Sequence, residues 1–257
     1  MVIKVAITGI NGRMGTMISD TVLAQPDMEI AAGFDLVAGK KVGKIAVSSV
    51  SDIDSVLKAT KPDVLIDFTV AAACVNNVKM AAANGVNVVV GTTGFDEAQK
   101  AEMKKAIEAG KIRAIISPNY SFGVQVFLKL LREAAKNLGD SDIEIIEAHH
   151  NKKKDSPSGT ALKAADVISS ALAEKPKYVY GREGVAPRTP GEIGIHAVRG
   201  GDIVGDHTAL FACDGERIEI KHQLHSRQAL ASGAVKAARW IVSRKPGIYS
   251  MEDMFQE

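Results

Sequence analysis

Short runs of apolar and β-branched residues alternate with stretches of helical periodicity through the first half of the chain. Five runs have the length and composition of buried strands, at residues 2–8, 30–34, 64–68, 86–90 and 113–116. Apolar residues recur at helical spacing between these runs, most clearly at residues 14–22 and 71–84 and after Asp96. Strands that alternate with helices in this way predict an α/β fold with a Rossmann-type, doubly wound parallel sheet.

The pattern changes in the second half. A helix is predicted at residues 124–138, a half-buried strand at 142–147 and another helix at about 157–173. Residues 174–191, with three prolines and three glycines, are expected to form a loop that serves as a lid or an oligomer arm. Three strand-like segments joined by glycine turns then follow, at residues 192–199, 207–213 and 216–222. This half is expected to be an α+β domain with a mixed, largely open sheet.

A last helical segment, at residues 228–243, is expected to pack back on the first domain and to make that domain discontinuous. The predicted division is therefore residues 1–121 plus 227–257 for a dinucleotide-binding domain, and residues 122–226 for a substrate-binding and oligomerisation domain. Alternation along the strands of the second sheet leaves one face that can pair between subunits, so an oligomer is expected.

The first strand runs directly into a glycine-rich turn, Gly9-Ile10-Asn11-Gly12-Arg13-Met14-Gly15, which a helix follows. Strand, glycine turn and helix are the context of a dinucleotide-binding fingerprint. Gly9 would make the tight turn, Gly12 would let a pyrophosphate approach the backbone, and Gly15 would let the helix pack on the strand. Because the spacing is G-x-x-G-x-x-G and not G-x-G-x-x-G, a plain tight turn is the alternative.

Asp35 ends the second predicted strand, where a Rossmann unit places the acid that binds the adenosine ribose. This acid favours NADH, and Leu36 offers no guanidinium for the 2′-phosphate of NADPH, although Lys40 and Lys41 lie close enough in sequence to meet one. Ligands of doubly wound sheets lie at the carboxyl ends of the strands. Two further loops fall at such ends, Gly91-Thr92-Thr93 and Ser117-Pro118-Asn119-Tyr120.

Residues 147–161 bring two imidazoles, three ammonium groups and two carboxylates together just before a predicted helix. Ser156 is expected to be the N-cap of this helix and Pro157 to lie in its first turn. Backbone N–H groups at Ser158, Gly159 and Thr160 would then offer a seat for an anion such as a carboxylate. The constellation suits a site that binds a polyanion and moves protons. A solvated loop is the alternative, and a metal site is disfavoured because adjacent histidines on a strand point apart.

Composition sets limits on the class of protein. The 257 residues are 46% hydrophobic and 24% charged, with a net charge of +2 and 5% aromatics, which is typical of a soluble globular protein and does not favour a nucleic-acid surface. No apolar run reaches membrane-spanning length, and the N-terminus lacks the layout of a signal peptide. Two isolated cysteines, Cys74 and Cys213, indicate a reducing cytoplasm.

Several of these motifs resemble those of the 4-hydroxy-tetrahydrodipicolinate reductase (dihydrodipicolinate reductase) family of lysine and diaminopimelate synthesis. Its signature is matched by Glu147-Ala148-His149-His150, by Lys153 and Asp155, and by Pro157-Ser158-Gly159-Thr160-Ala161. The glycine turn and residues 91–95 and 119–121 resemble its cofactor loops, and residues 199–205 resemble a later turn. The resemblance covers essentially the whole chain. The sequence departs from the family at Ser156, where alanine is more usual, and at Leu36, where some members carry arginine.

The resemblance implies a role for each matching position. His149 would donate and accept the proton, and Lys153 would be a second proton donor or a carboxylate partner. His150, Gly159 and Thr160 would bind a cyclic imine dicarboxylate, with no metal. The dinucleotide, NADH or NADPH, would be held by Gly9, Ile10, Asn11, Gly12, Arg13, Met14, Asp35, Gly91, Thr92, Thr93, Ser117, Pro118, Asn119 and Tyr120. The family is cytoplasmic and homotetrameric, with neither nucleic acid nor membrane as a partner.

Other functions remain open on the residues alone. One is a Rossmann reductase of another imine or semialdehyde, and another is a non-catalytic dinucleotide sensor. A sensor would have no need of the proton donors His149 and Lys153 beside an anion seat. A thiol-dependent dehydrogenase would need a nucleophilic cysteine, and neither Cys74 nor Cys213 is placed in a sequence context that suits one.

Overall fold

The computed structural model describes residues 2–255, which form two compact units. Unit 1 comprises the residues up to Ser121 together with those from Gln228 onward, and unit 2 is Phe122–Arg227. Among the described residues, no helix combines the length and the apolar character that crossing a membrane requires.

The elements follow one another in this order. Unit 1 begins with β1 (Ile3–Thr8), α1 (Arg13–Leu23), β2 (Met28–Asp35), β3 (Lys41–Val42), β4 (Ile45–Ala46), β5 (Ser48–Ser49), α2 (Ile53–Thr60), β6 (Val64–Asp67), α3 (Ala71–Ala83), β7 (Asn87–Val90), α4 (Glu97–Gly110) and β8 (Arg113–Ile116). Unit 2 forms α5 (Phe122–Asn137), β9 (Asp142–His149), α6 (Gly159–Ser169), β10 (Lys177–Tyr180), β11 (Glu192–Arg199), β12 (Gly205–Cys213) and β13 (Glu216–Leu224). The chain then returns to unit 1 with α7 (Gln228–Ile241) and β14 (Gly247–Tyr249).

Unit 1 is built on a parallel sheet. Over residues 2–255 its strand order is β14-β8-β7-β6-β1-β2-β5, and all the paired strands run in the same direction. The central strands are apolar throughout because helices cover both faces, and Val5, Ala6, Ile7, Leu65 and Val89 are all fully buried. This confirms the predicted Rossmann-type sheet, and it places the turns after β1, β2, β6, β7 and β8 at one edge.

Unit 2 is built on a mixed sheet, which confirms the second predicted fold. In the described chain its order is β10-β11-β9-β12-β13, parallel from β10 to β9 and antiparallel from β9 to β13. Helices α5 and α6 pack on one face, where Ile145, Phe211, Leu131 and Ile168 form the core. Burial alternates along β9, so that Glu147 and His149 lie on the same buried face as Ile145, whereas Ile146 is exposed on the other face.

The prediction of a loop over residues 174–191 was wrong in part. Residues Lys177–Tyr180 form β10, which pairs in parallel with the start of β11. The flanking prolines and glycines indicated a loop there, and the strand exists because β11 offers it a partner. The elements β3, β4, β5, α2 and β14 were not predicted either, and three of them, β3, β4 and β5, have only two residues each.

Candidate active site

The glycine turn of unit 1 has the geometry that the sequence predicts. Gly9 has a φ of +68°, which favours glycine, and its carbonyl accepts a hydrogen bond from the Gly12 N–H at 3.0 Å. A Cβ at Gly15 would lie 2.1 Å from the Gly9 oxygen, so α1 packs against the turn more closely than any side chain allows. Gly12 is the N-cap of α1 and gives it no side-chain acceptor, which leaves the first turn of the helix suited to a phosphate.

Asp35 is directed towards this turn. Its Oδ2 accepts a hydrogen bond from the Asn11 N–H at 2.9 Å, and its Oδ1 accepts one from the Leu36 N–H at 2.8 Å. Leu36 itself is 85% exposed. The end of β2 therefore presents a carboxylate and an apolar side chain beside the turn, with no guanidinium at position 36.

Four of the predicted cofactor residues are buried, namely Ile10, Thr92, Ser117 and Tyr120, and two of these have large side chains that point away from any ligand. Ile10 is 1% exposed and belongs to the core of unit 1. The Tyr120 hydroxyl, also buried, lies 2.9 Å from the Val90 oxygen and 3.1 Å from the Ile115 oxygen and donates to this carbonyl pair. Only the main chain at these two positions can meet a ligand. Arg13 and Pro118 are exposed.

A buried carboxylate that sequence reasoning missed connects the cofactor loops. Asp67, at the end of β6, is fully buried and accepts hydrogen bonds from the hydroxyls of Thr8, Thr69 and Thr92 at 2.7, 2.8 and 2.7 Å. The Asn77 side chain donates to it at 2.8 Å. These residues belong to the ends of β1, β6 and β7 and to α3, so one side chain fixes three loops at the carboxyl edge of the sheet. The only local signal was an acidic residue at the end of an apolar run.

The N-terminus of α6 differs from the prediction. The N-cap is Ser158, not Ser156, and Pro157 lies before the helix, not in its first turn. The Ser158 backbone is extended (φ −66°, ψ 150°), and its Oγ accepts a hydrogen bond from the Ala161 N–H at 3.2 Å, so the helix begins at Gly159. The Ser158 N–H is also not available to an anion as predicted, because it donates to Oε1 of Glu147 at 2.9 Å. A Cβ at Gly159 would meet nothing within 4 Å, so open space lies beside this exposed residue.

His149 ends β9 and is held by the residue two positions before it. Its Nδ1 lies 2.6 Å from Oε2 of Glu147, on the same face of the strand. The register of the sheet places Arg199 of β11 opposite His149, and the guanidinium donates one hydrogen bond to each Glu147 oxygen at 2.8 Å. Glu147 is fully buried and His149 is 9% exposed. Burial opposes ionisation of Glu147, but the hydrogen bonds from Arg199, His149 and the Ser158 backbone outweigh it and lower the pKa of Glu147.

A second buried histidine, His207 of β12, adjoins this cluster. Sequence reasoning assigned it no role. The register pairs His207 with Glu147, and its Nε2 lies 3.0 Å from Oγ of Ser158. Burial and the neighbouring His149 lower the pKa of His207 to about 4, so its ring is neutral at neutral pH.

The remaining predicted residues lie in the loop between β9 and α6. Nζ of Lys153 pairs with Oδ2 of Asp155 at 2.8 Å, and this hydrogen bond lowers the pKa of Asp155. The Lys153 N–H donates to the His150 carbonyl at 3.1 Å, which closes the turn. Nδ1 of His150 is buried without a hydrogen-bond partner among the described residues. His149, His150, Lys153 and Gly159 thus belong to one segment of unit 2, in which the Lys153 ammonium pairs with Asp155.

No group of three His, Cys, Asp or Glu side chains in the described part of the chain is arranged to hold a metal ion. Both cysteines are free thiols. Cys74 is buried in α3, and burial raises its pKa, whereas Cys213 is exposed at the end of β12. Neither is a poised nucleophile.

Two family models match the chain. The model described as "Dihydrodipicolinate reductase, N-terminus" matches residues 3–120, and the one described as "Dihydrodipicolinate reductase, C-terminus" matches residues 123–255. Curated relatives include proteins named 4-hydroxy-tetrahydrodipicolinate reductase. The one from Methanosarcina mazei is 56% identical, with 98% of each chain covered. The one from Methanocaldococcus jannaschii is 52% identical, with 98% of this chain and 97% of the relative covered.

Solved structures agree with these matches. A dihydrodipicolinate reductase from Paenisporosarcina sp. TG-14, described as dipicolinate-bound, is 27% identical with a TM-score of 0.82, over 99% of this chain and 100% of that one. The C. glutamicum DAP dehydrogenase shares the fold, at 16% identity and a TM-score of 0.58 over 98% of this chain and 93% of that one. From the two family models and the relatives at more than half identity, the chain belongs to the dihydrodipicolinate reductase family.

Proposed function

We propose that this chain is an NAD(P)H-dependent oxidoreductase that reduces 4-hydroxy-tetrahydrodipicolinate to tetrahydrodipicolinate in lysine and diaminopimelate synthesis. The observation that carries the proposal is the Glu147–His149 pair, 2.6 Å apart, at the end of β9, in the segment that leads into the N-terminus of α6. A proton-carrying imidazole in the same segment as a seat for anions is what a dicarboxylate reductase requires.

The net reaction takes up one hydride and one proton and releases one water. The reduced nicotinamide supplies the hydride when bound. His149 supplies the proton, since an imidazole is the side chain that exchanges protons most readily near neutral pH. Lys153 acts as a second proton donor or as a partner of a substrate carboxylate, and its ammonium is held in the loop by Asp155 at 2.8 Å.

The substrate carboxylates bind at His150, Gly159 and Thr160. The open space beside Gly159 supports this, because an anion can come close to the main chain at the start of α6 where no side chain stands. The buried Nδ1 of His150 supports it as well, because a polar atom without a protein partner is suited to a ligand.

The dinucleotide binds unit 1, through the main chain of the glycine turn and the loops that Asp67 connects. The φ of Gly9 and the uncapped first turn of α1 support this assignment. NADH is favoured over NADPH, because the Asp35 carboxylate would bind the free 2′-hydroxyl of NADH and repel a 2′-phosphate. Leu36 offers no compensating cation.

The protein is a cytoplasmic homotetramer whose subunits meet through the uncovered face of the unit 2 sheet. Its small-molecule partner is the cyclic imine dicarboxylate. It binds neither nucleic acid nor membrane. The tetramer proposal is supported by the alternation of buried and exposed side chains along β9, which leaves Ile146 41% exposed on the face away from α5 and α6. Sedimentation equilibrium of the wild-type chain measures the subunit number, and a monomer would contradict the proposal.

The assay that tests the activity follows oxidation of NADH and of NADPH spectrophotometrically. The substrate is made in situ from pyruvate and aspartate semialdehyde by the preceding synthase. Oxidation that depends on the synthase product is expected, with NADH the better donor. Tight dinucleotide binding without oxidation would point to a sensor, or to a reductase of a different imine.

A further inference from the structure

We infer that Glu147 is a positioning residue for the reaction: together with Arg199 it holds the His149 ring in the tautomer that carries its hydrogen on Nδ1, so that Nε2 is the atom that exchanges the proton. This inference rests on the proposed function and assigns a role to two residues that do not themselves meet the substrate.

The hydrogen bonds determine the tautomer. Oε2 of Glu147 lies 2.6 Å from Nδ1 of His149 and accepts a hydrogen bond from one Arg199 nitrogen at 2.8 Å. Oε1 accepts hydrogen bonds from the other Arg199 nitrogen at 2.8 Å and from the Ser158 N–H at 2.9 Å. The guanidinium and the backbone N–H only donate, and a carboxylate ionised by them only accepts. His149 must therefore donate from Nδ1 to complete the set, whether its ring is neutral or protonated.

The other ring nitrogen of His149, Nε2, lies next to Gly205, where any side chain would crowd it. A Cβ at Gly205 would stand 3.0 Å from Nε2 of His149. Glycine at the start of β12 therefore leaves room beside the nitrogen that the carboxylate does not engage. The carboxylate holds the ring at one nitrogen and leaves the other for proton exchange, which is the division that a proton carrier requires.

The same ion pair also connects the other parts of the segment. The Arg199 guanidinium donates to the Asp155 carbonyl at 2.8 Å, in the loop that carries Lys153. Glu147 binds the N-cap residue of α6 through the Ser158 N–H. One buried carboxylate and one guanidinium thus set the positions of His149, of the Lys153 loop and of the helix N-terminus relative to one another.

The ionic surroundings of His149 give a pH signature. The titratable groups that face it are Glu147 on its own strand and His207 from β12, with Arg199 of β11 behind the carboxylate. Removing the negative charge of Glu147 takes away the group that stabilises the imidazolium. A change in the pH profile of kcat is therefore expected when that charge is lost.

The test is Glu147→Gln in the full chain, which keeps the shape of the side chain and removes its charge. Turnover is expected to fall on the order of 10²-fold, with NADH binding unchanged and the basic limb of the kcat profile shifted to lower pH by about one pH unit. A folded variant with an unshifted profile would overturn the inference, because a merely structural ion pair would leave that limb in place.

A matched control lies on the same strand. Glu144 also binds a histidine, His196 at 2.7 Å, and arginines, but on the opposite face of the sheet. Glu144→Gln removes a comparable carboxylate and should leave the pH profile where it is in the wild type. If Glu147→Gln does not fold, Arg199→Lys replaces it, since lysine keeps the charge and loses the two-point contact. Turnover is expected to fall in Arg199→Lys because the carboxylate is no longer held at two points, and unchanged turnover would then overturn the inference.

The tautomer can also be measured without turnover, by nitrogen-15 NMR of histidine-labelled protein. The neutral His149 ring is expected to carry its hydrogen on Nδ1 in the wild type, and hydrogen on Nε2 would overturn the inference. This measurement separates the two proposals. An inactive wild type with the Nδ1–H tautomer would refute the reductase assignment alone.

Discussion

The imidazole of His207 stands edge-on to that of His149, with the ring centroids 5.2 Å apart and the ring planes at 74°. His207 also contacts Oγ of Ser158, the N-cap of α6, at 3.0 Å. A proton on His207 would place a positive charge beside the His149 ring inside the core of unit 2. Neutrality of His207 is therefore part of the folded structure.

The first prediction concerns stability against pH. The folded pKa of His207 is about 4, below the usual 6.5, so between these values the unfolded chain binds more protons and stability falls as the pH falls. Protonation of His207 in the unfolded chain alone lowers the free energy of unfolding by about 3 kcal/mol between pH 6.5 and pH 4. Urea unfolding of the wild type and of His207→Gln, at pH 7, 6 and 5, should show a smaller loss of stability in the variant. Equal losses of stability in the wild type and the variant would contradict the low pKa assigned to His207. The lowered pKa of Glu147 does not interfere, because its contribution is lost only below about pH 4.5.

The second prediction concerns the proton donors. His149→Ala and Lys153→Ala should each lower kcat by about 10²-fold or more, since each removes a group that we propose transfers or orients a proton. Dinucleotide binding, measured by fluorescence titration, should be unchanged because the residues proposed to bind the dinucleotide lie in unit 1. Lys152→Ala is the control, because Lys152 is a neighbouring exposed lysine of the same loop. Wild-type turnover in either site variant would remove its proposed role.

The third prediction concerns the choice of cofactor. Asp35→Asn removes the negative charge and keeps an oxygen acceptor for only one of the two N–H groups, of Asn11 and Leu36, that the carboxylate accepts. NADH binding should weaken by about ten-fold, a little over 1 kcal/mol, and NADPH binding should weaken less or improve. Dissociation constants for both dinucleotides decide the matter. An equal loss for both would mean that Asp35 only shapes the turn.

The fourth prediction compares two glycines. Gly15→Ala places a Cβ 2.1 Å from the backbone oxygen of Gly9 and should destabilise the chain by about 3 kcal/mol, since backbone cannot yield as a side chain can. Gly159→Ala meets no protein atom within 4 Å and should leave thermal stability unchanged or slightly raised. Its KM for the imine should nevertheless rise about ten-fold, because the methyl group occupies the space before the first turn of α6. An unchanged KM would place the substrate elsewhere.

The sequence predicts the parts of this molecule that depend on neighbours along the chain. The strand before Gly9, the glycine turn and the Asp35 carboxylate follow from local composition and spacing. Arg199 and His207 were missed because their roles depend on which strands pair, and a register that places Arg199 opposite His149 is visible only in the sheet. The choice between Ser156 and Ser158 as N-cap could not be made locally, because Glu147 settles it by accepting the Ser158 N–H across 11 residues.

The return of the chain to unit 1 has a consequence for the order of folding on the ribosome. Strand β8 lies at the edge of the parallel sheet until β14 pairs with it, and α7 packs against α1 and against β6, β7 and β8. Both elements are synthesised only after all of unit 2. Until α7 and β14 are synthesised, the N-terminal part of unit 1 therefore has an unpaired strand edge and an uncovered apolar surface. Both conditions favour aggregation or recruitment of chaperones. A stop codon just before α7 would make that transient state permanent.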